Sequence, residues 1–588
     1  MASIRVNSVS VKNYRSFGEK QEFVFPDNSY KKPISIVGYN NSGKTNLMNA
    51  IKFGLFESVR EDTFELKDFH NNRWENPPCF AVKFVADIQD DKILAGTEYT
   101  NVSMVNVIDS KINSVRDDCN CYTSSSKYSK KWVIKQKAPI FYINFHNIKE
   151  EIVTQKTSWG NLKSFLAKHI QRIVISDSEM NNKKEEFEID VNDATEKVLA
   201  ESKLREFINV IESNYSNNLR KNNCVVEFGL PNYEDIFLKM LFKIGLNGDI
   251  SNLIPIDHFG DGFISMFVMA VIQAIAETDK TDNCLFLFEE PESFLHENHQ
   301  EYFYKMVLCG LADKGHQVIY TTHSDRMIDP FDTKGLIRLE MDENNQSVKK
   351  YNNIGEFAFD TVDVETGEVI NYSRYNEFVK TIEPNLNRIL FSKKVILVEG
   401  PNDVLVYKFA ISKKVLEFIQ NDESIPDKNR YADTFLNFEN ISIVCHHGKT
   451  TAIYLIELCK HFKVDYFVIN DWDFEEEELS VDTIKRINSP EDLKADLVYV
   501  NSGKKAMITN NWNLINSAGI DKIHFNIKKL ENVIGYANDD KDSLAIWNIL
   551  TSQEFIINEN LFPEKLKTFI LIGKKDQELD SIEIDLLF

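Results

Sequence analysis

The segment GYNNSGKT at residues 38–45 fits the spacing G-x-x-x-x-G-K-T and lies between a strand-like run and a helix-like run. Gly38 and Gly43 permit a loop in which the N–H groups of Asn40, Asn41 and Ser42 turn inward to a phosphate. Lys44 then reaches the β- and γ-phosphates of a nucleotide, and Thr45 ligates Mg²⁺. Downstream, CLFLFEEPE at 284–292 runs four apolar residues into Glu289 and Glu290. The first acid of such a pair can hold Mg²⁺, and the second can orient or deprotonate an attacking water. The strand-like VIYTTHS at 318–324 places His323 where it could sense the γ-phosphate. Gly260 and Gly262 in HFGDGF open an apolar helix, and a glycine turn at a helix start can bind phosphate.

A second group of acids sits in the C-terminal part. VILVEG ends at Glu399, with Gly400 next and Asp403 three residues further on; YFVIND ends at Asp471, with Asp473 two residues later. In a parallel sheet, ligands gather at the carboxyl ends of strands. Carboxylates that converge there repel one another unless a cation joins them, which implies Mg²⁺ or Mn²⁺. Two such ions can clamp the attacking and leaving oxygens of a phosphodiester. The run Glu475–Glu478 reads as a solvated turn.

Positioning these residues requires strand–helix alternation. Ile4–Val11 alternates as a strand, Ile34–Val37 is a short apolar strand, and Leu47, Ile51 and Leu55 recur as one helix face. Residues 246–350 alternate again, which argues a parallel sheet. The stretch 91–245 is polar and rich in Asn, Lys and Ser; Leu204, Phe207, Ile208 and Ile211 mark one helix there. From Lys394 a second series begins: strand Val395–Val398, helix Val404–Ala410, a helix face of Ala452, Leu455, Ile456 and Cys459, and strand Tyr466–Ile469. The expected organisation is a nucleotide-binding head from 1–90 and 246–350, an insertion at 91–245 that could dimerise, a connector at 351–385, and a smaller sheet domain at 386–588.

The net charge of −22 over 588 residues argues against non-specific coating of nucleic acid, though a local patch suffices for a nuclease. No apolar run is long enough for a membrane span. The N-terminal MASIRVNSVSVKNYRSF lacks the apolar core of a secretory signal. Eight scattered cysteines without a CxxC pair fit a reducing, cytoplasmic setting.

The order of phosphate loop, long insertion, glycine turn, acidic strand and histidine resembles the ABC-ATPase heads of SMC and RecF proteins. The opening VKNYRSF looks like theirs, which implies that Arg15 lies near the nucleotide. The resemblance also implies that Gly260 and Gly262 complete the ATP site of a second subunit, although FGDGF departs from the usual LSGGQ signature. EGxxD followed by a strand-ending DxD resembles the Toprim domain, and the whole chain is similar to the OLD family of nucleases. That resemblance implies an α/β fold of ABC head, helical insertion and Toprim domain, and an ATP-binding, Mg²⁺- or Mn²⁺-dependent DNA endonuclease or nickase. It further implies that a later acid, here Glu531 in KKLENV, joins a second metal. A lysine near the C-terminus would aid catalysis, here Lys574 or Lys575 after a strand FILIG. Relatives act against bacteriophages, in Gabija with a helicase partner and in some retrons with a reverse transcriptase and its RNA–DNA product. The rival reading is an ABC-type repair ATPase whose Toprim domain binds DNA without cutting it; the intact acids argue against that. A homodimer or higher oligomer is expected.

Overall fold

In the computed structural model, the described residues are 2–55, 63–88, 96, 98–119, 138–148, 178–200, 202–218, 243–245, 251–278, 283–355, 357, 361–362, 369–370, 372–383, 385–496, 501–537 and 542–571. The chain divides into two compact units. One is Met1–Ser35 with Lys44–Thr322, and the other is Ile36–Gly43 with His323–Phe588.

The first unit opens with strand β1 (Ala2–Lys12), which pairs antiparallel with β2 (Gln21–Val24). Its buried apolar positions are Ile4 and Val6, then Val9 and Val11, so their period of two changes phase midway. A register shift between Val6 and Ser8 accounts for this, because one extra residue returns the following apolar side chains to the same face. After β3 (Ile34–Gly38) and helix α1 (Lys44–Leu55), strands β4 (Cys79–Ile88), β5 (Glu98–Ile108) and β6 (Lys111–Cys119) extend the first sheet in the order β2-β1-β4-β5-β6. Leu47, Ile51 and Leu55 form the buried face of α1.

Further strands carry the nucleotide motifs. In the first unit, β7 (Ile140–Asn144), β8 (Leu285–Glu289) and β9 (Gln317–Thr322) pair parallel in the order β9-β8-β7; in the second, β10 (Leu336–Met341) pairs antiparallel with β11 (Ser347–Asn352). Every residue of β8 is buried, as expected of a parallel strand covered on both faces. Strands β5, β6 and β7 all fall within 91–245 and pair with strands outside that span or with each other. Helices α2 (Ser178–Leu199) and α3 (Lys203–Asn218) also lie there, and α3 contains the Leu204–Ile211 periodicity. Helix α4 (Asp261–Thr278) follows the glycine turn; it buries Ile264, Val268, Met269 and Ile272 but leaves Phe263 60% exposed, so it is not apolar-packed all round.

In the second unit, α5 (Tyr372–Ile382) precedes a four-stranded parallel sheet of β12 (Lys394–Val398), β13 (Ile441–Cys445), β14 (Asp465–Asp471) and β15 (Ile523–Asn526). The order β13-β12-β14-β15 makes the chain leave β12 on one side and return on the other. Side chains alternate between faces. Ile396, Val398, Phe467 and Ile469 pack with helix α6 (Pro401–Phe418), while Val395, Leu397 and Val468 pack with α8 (Lys449–Phe462) and α9 (Ser502–Ala518). Between these helices in sequence lies α7 (Lys428–Phe438). The short helix α10 (Leu530–Val533) follows β15. The expected strand FILIG is instead helical at its start: α11 spans Glu564–Leu571, with Pro563 just ahead of it. A four-residue apolar run does not distinguish helix from strand by periodicity.

Candidate functional site

The C-terminal acids come together because of strand order. β12 and β14 are neighbours and run parallel, so Glu399 and Asp471 leave the sheet at the same edge, at the point where the connections reverse. Glu399 Oε2 accepts from Asn470 Nδ2 at 2.8 Å and from the Asp471 N–H at 3.5 Å. Asp403 lies in the first turn of α6, where its Oδ2 accepts from the Gly400 N–H at 3.1 Å. Its other oxygen, Oδ1, is buried and has no hydrogen-bond partner among the described residues. Asp471 is 8% exposed and its Oδ1 accepts from the Leu530 N–H at 2.9 Å, which brings Glu531 of α10 to the same place.

The electrostatics agree with that crowding. Burial, then Glu399, pushes Asp403 up to about 7. Burial, then Glu399 and Asp403, pushes Asp471 up to about 8. Glu531 raises both. Asp403 and Asp471, with Glu399 and Glu531 beside them, form an all-oxygen donor set of the kind hard divalent cations take. With the orphaned Asp403 Oδ1, these residues fit Mg²⁺ or Mn²⁺.

Asp473 is held by a different contact. It has φ +66°, and its Oδ2 lies 2.5 Å from Lys449 Nζ. Lys449 is the first residue of α8, just past Gly448 at φ +143°. Sequence reading did not single it out; a Gly-Lys at a helix start was the only local signal. Glu475–Glu478 is exposed, with Glu475 paired to Lys528 and Glu478 to Lys504. Lys574 and Lys575 lie outside the described residues.

The nucleotide motif is held as tightly. Gly38 has φ +152°, and a Cβ there would lie 2.3 Å from the Leu339 carbonyl oxygen. Asn41 and Gly43 also have positive φ, at +65° and +96°. Ser42 is fully buried, and its Oγ has no partner among the described residues. Thr45, next to Lys44, occupies the first turn of α1.

Lys44 is 4% exposed. Burial lowers it to about 8, against the opposing pull of Glu290, Glu292 and Glu289. The Glu289 carboxylate accepts from the Tyr142 hydroxyl at 2.5 Å. Glu290 has φ +47°, its N–H donates to the Thr321 carbonyl at 3.2 Å and to Thr321 Oγ1 at 3.1 Å, and its Oε2 lies 2.6 Å from His146 Nε2. Glu292 accepts from Thr322 Oγ1 at 2.7 Å. A buried ammonium facing three acids at the start of α1 fits a Mg²⁺-nucleotide, whose phosphates supply the anion and whose ion neutralises the acids. Glu292 and His146 were not anticipated; Glu292 is the third acid of FEEPE, whereas nothing local marks His146.

Tyr14 is 1% exposed, with its ring 5.0 Å from that of Phe80, and this anchor turns Arg15 outward at φ +48°. Arg15 donates to Asp68 Oδ1 at 2.8 Å and to Asn46 Oδ1, on α1, at 3.3 Å. His323 follows β9 and is exposed. Gly260 has open space where a Cβ would be, while a Cβ on Gly262 would lie 2.8 Å from the Phe294 carbonyl oxygen. Gly262 is therefore required for packing within its own unit.

A family model described as AAA ATPase domain matches residues 5–328. A second, described as overcoming lysogenization defect protein-like, TOPRIM domain, matches residues 390–473. The chain is similar to the Old nuclease of Escherichia phage P2, at 24% identity over 503 residues, covering 80% of this chain and 78% of that one. It is similar to the OLD nuclease of Thermus scotoductus at 26% identity over 221 residues, 37% of this chain and 36% of that one. Endonuclease GajA of Bacillus cereus is 22% identical over 437 residues, 71% of this chain and 69% of that one. The order of the two matched domains follows the order of the two sites: the chain belongs to the AAA ATPase domain family, carries a match to the OLD-like Toprim domain, and is similar to Old nucleases over most of its length.

Proposed function

We propose that this chain is a divalent-metal-dependent DNA endonuclease or nickase with an ATP-binding head. The observation that carries the reading is the convergence of Glu399, Asp403, Asp471 and Glu531 where β12 and β14 leave the sheet, with Asp403 and Asp471 pushed toward neutrality. Mg²⁺ or Mn²⁺ bound there would stabilise charge on the attacking and leaving oxygens of a phosphodiester. The chain itself supplies the frame: Asn470 fixes Glu399, and the Leu530 N–H fixes one oxygen of Asp471. In the head, Lys44 and Thr45 serve ATP and its Mg²⁺, Glu289 helps hold that ion, and Glu290 orients the water.

The finer reading follows from the relatives. Their names include nucleases and the endonuclease GajA. DNA is the substrate proposed for this chain, and defence against bacteriophages its setting, beside either a helicase subunit or a reverse transcriptase with its RNA–DNA product. Gly260 at an open helix start supports the proposal that a second copy completes each ATP site, so the working form is a homodimer or larger. Among the described residues no helix is long and apolar enough to cross a membrane.

Incubation of the full chain with supercoiled plasmid and Mg²⁺ or Mn²⁺ tests the central claim. Nicked or linear product is expected, lost with EDTA and abolished by Glu399→Gln and by Asp471→Asn, while ATP binding survives in both. Cleavage that continues undiminished in both variants places the active site elsewhere.

A further inference from the structure

Glu383, Cys445 and His447 each offer one ligand atom, and these atoms all lie within 4.8 Å of one another. The three come from different pieces of chain. Glu383 follows α5, Cys445 ends β13, and His447 lies in the turn that leads into α8. Cys445 is 7% and Glu383 6% exposed, whereas the His447 side chain is 31% exposed and opens the cluster to solvent.

The separation of two of the three ligand atoms suits a shared ion better than a hydrogen bond. His447 Nε2 and Glu383 Oε2 are 3.4 Å apart. A charge-assisted N–H···O bond is about 2.7–2.9 Å. Two ligands at about 2.1 Å from a tetrahedral ion sit about 3.4 Å from each other. His447 has φ +57°, a conformation a histidine adopts at some cost and keeps only where its surroundings require it. The remaining Glu383 oxygen, Oε1, accepts from the Asn385 N–H at 2.9 Å, which fixes the carboxylate as outer-shell partners fix metal ligands.

We propose that Glu383, Cys445 and His447 bind one thiophilic divalent ion of the zinc class, at a site separate from the carboxylate centre. A thiolate, an imidazole and a carboxylate suit Zn²⁺ or Co²⁺, whereas Mg²⁺ and Mn²⁺ prefer the all-oxygen set of Glu399, Asp403, Asp471 and Glu531. Three protein ligands leave a fourth position for water on the exposed side. The ion would pin the turn between β13 and α8. That turn touches the nuclease frame twice: the His447 N–H donates to the Glu399 carbonyl at 3.1 Å, and Lys449 pairs with Asp473. The site therefore supports the positions of both acids without entering the reaction.

The test is titration of the metal-free full chain with Co²⁺, read by the thiolate-to-cobalt charge-transfer absorption. One equivalent per chain should give the band, and Zn²⁺ should displace it. Cys445→Ser should abolish the band, and His447→Gln should weaken Co²⁺ binding at least tenfold, while Asp471→Asn leaves the band intact. Circular dichroism of each variant checks that it is folded; should Cys445→Ser fail that check, His447→Gln carries the decision. The proposal is overturned by a wild type that shows no band, by a band that persists in folded Cys445→Ser, or by one that is lost in Asp471→Asn but unchanged in His447→Gln.

Discussion

Lys449 Nζ lies 2.5 Å from Asp473 Oδ2, with the lysine side chain only 9% exposed. The ion pair ties the start of α8 to the loop after β14 and gives Asp473 a cationic partner, whereas Asp471 accepts from the Leu530 N–H. Replacing Lys449 by Gln frees Asp473 to join the carboxylate cluster in the wrong geometry. The Mg²⁺ concentration for half-maximal cleavage should rise on the order of 10–100-fold, as for outer-shell changes at metal sites. Lys449→Arg should restore much of it. An unchanged metal requirement in Lys449→Gln would show that the pair only stabilises the fold.

Proton competition at the carboxylate centre sets a pH dependence. Asp403 and Asp471 are raised, to about 7 and about 8, so folding favours their protonated forms. Their contribution to stability is fully present below the ordinary carboxylate pKa of about 4, and it is lost as pH rises through 7 and 8. A bound cation reverses that loss by holding both acids ionised. Mg²⁺ affinity should therefore climb between pH 6 and pH 8, with proton release measurable by calorimetry in buffers of different ionisation enthalpy. Affinity independent of pH over that interval would contradict the shared site.

At the nucleotide site, removal of the Lys44 ammonium takes away the buried cation that faces the phosphates. Lys44→Ala should weaken ATP binding at least tenfold, about 1.4 kcal/mol. Glu290→Gln should bind ATP but turn it over more slowly, by a factor on the order of 10²–10⁴. If Glu290→Gln hydrolyses normally while Glu289→Gln or Glu292→Gln is dead, the roles of these acids are exchanged.

Arg338 is 1% exposed and donates to the carbonyls of Leu390 at 3.0 Å, Ser392 at 2.8 Å and Phe462 at 3.3 Å, besides pairing with Glu340. It joins β10 to the backbone just before β12 and at the end of α8. Arg338→Met keeps the volume but strands several buried acceptors, each costing about 1–3 kcal/mol. Urea denaturation should show a loss of about 3 kcal/mol or more. A loss below about 1 kcal/mol would mean that water or a rearranged backbone satisfies those carbonyls.

The phosphate loop, the two-acid strand and the strand-ending acids were legible in the sequence because each is a local pattern. A glycine spacing, an apolar run between solvent-averse faces and an acid at its end need no partner to be recognised. The helix of Leu47, Ile51 and Leu55 and that of Ala452, Leu455, Ile456 and Cys459 were legible for the same reason: their periodicity is written in neighbouring residues. What only the tertiary structure decided is which of these patterns meet. The order β13-β12-β14-β15 sets Glu399 beside Asp471, and the pairing of β15 with β14 delivers Glu531. His146 reaches Glu290 because β7 lies next to β8, and Lys449 reaches Asp473 across a turn. Glu383, Cys445 and His447 form a cluster that no spacing announces. Strand neighbours are chosen by the burial of whole faces, a long-range condition, so the chemistry that depends on them appears only once the sheets are assembled.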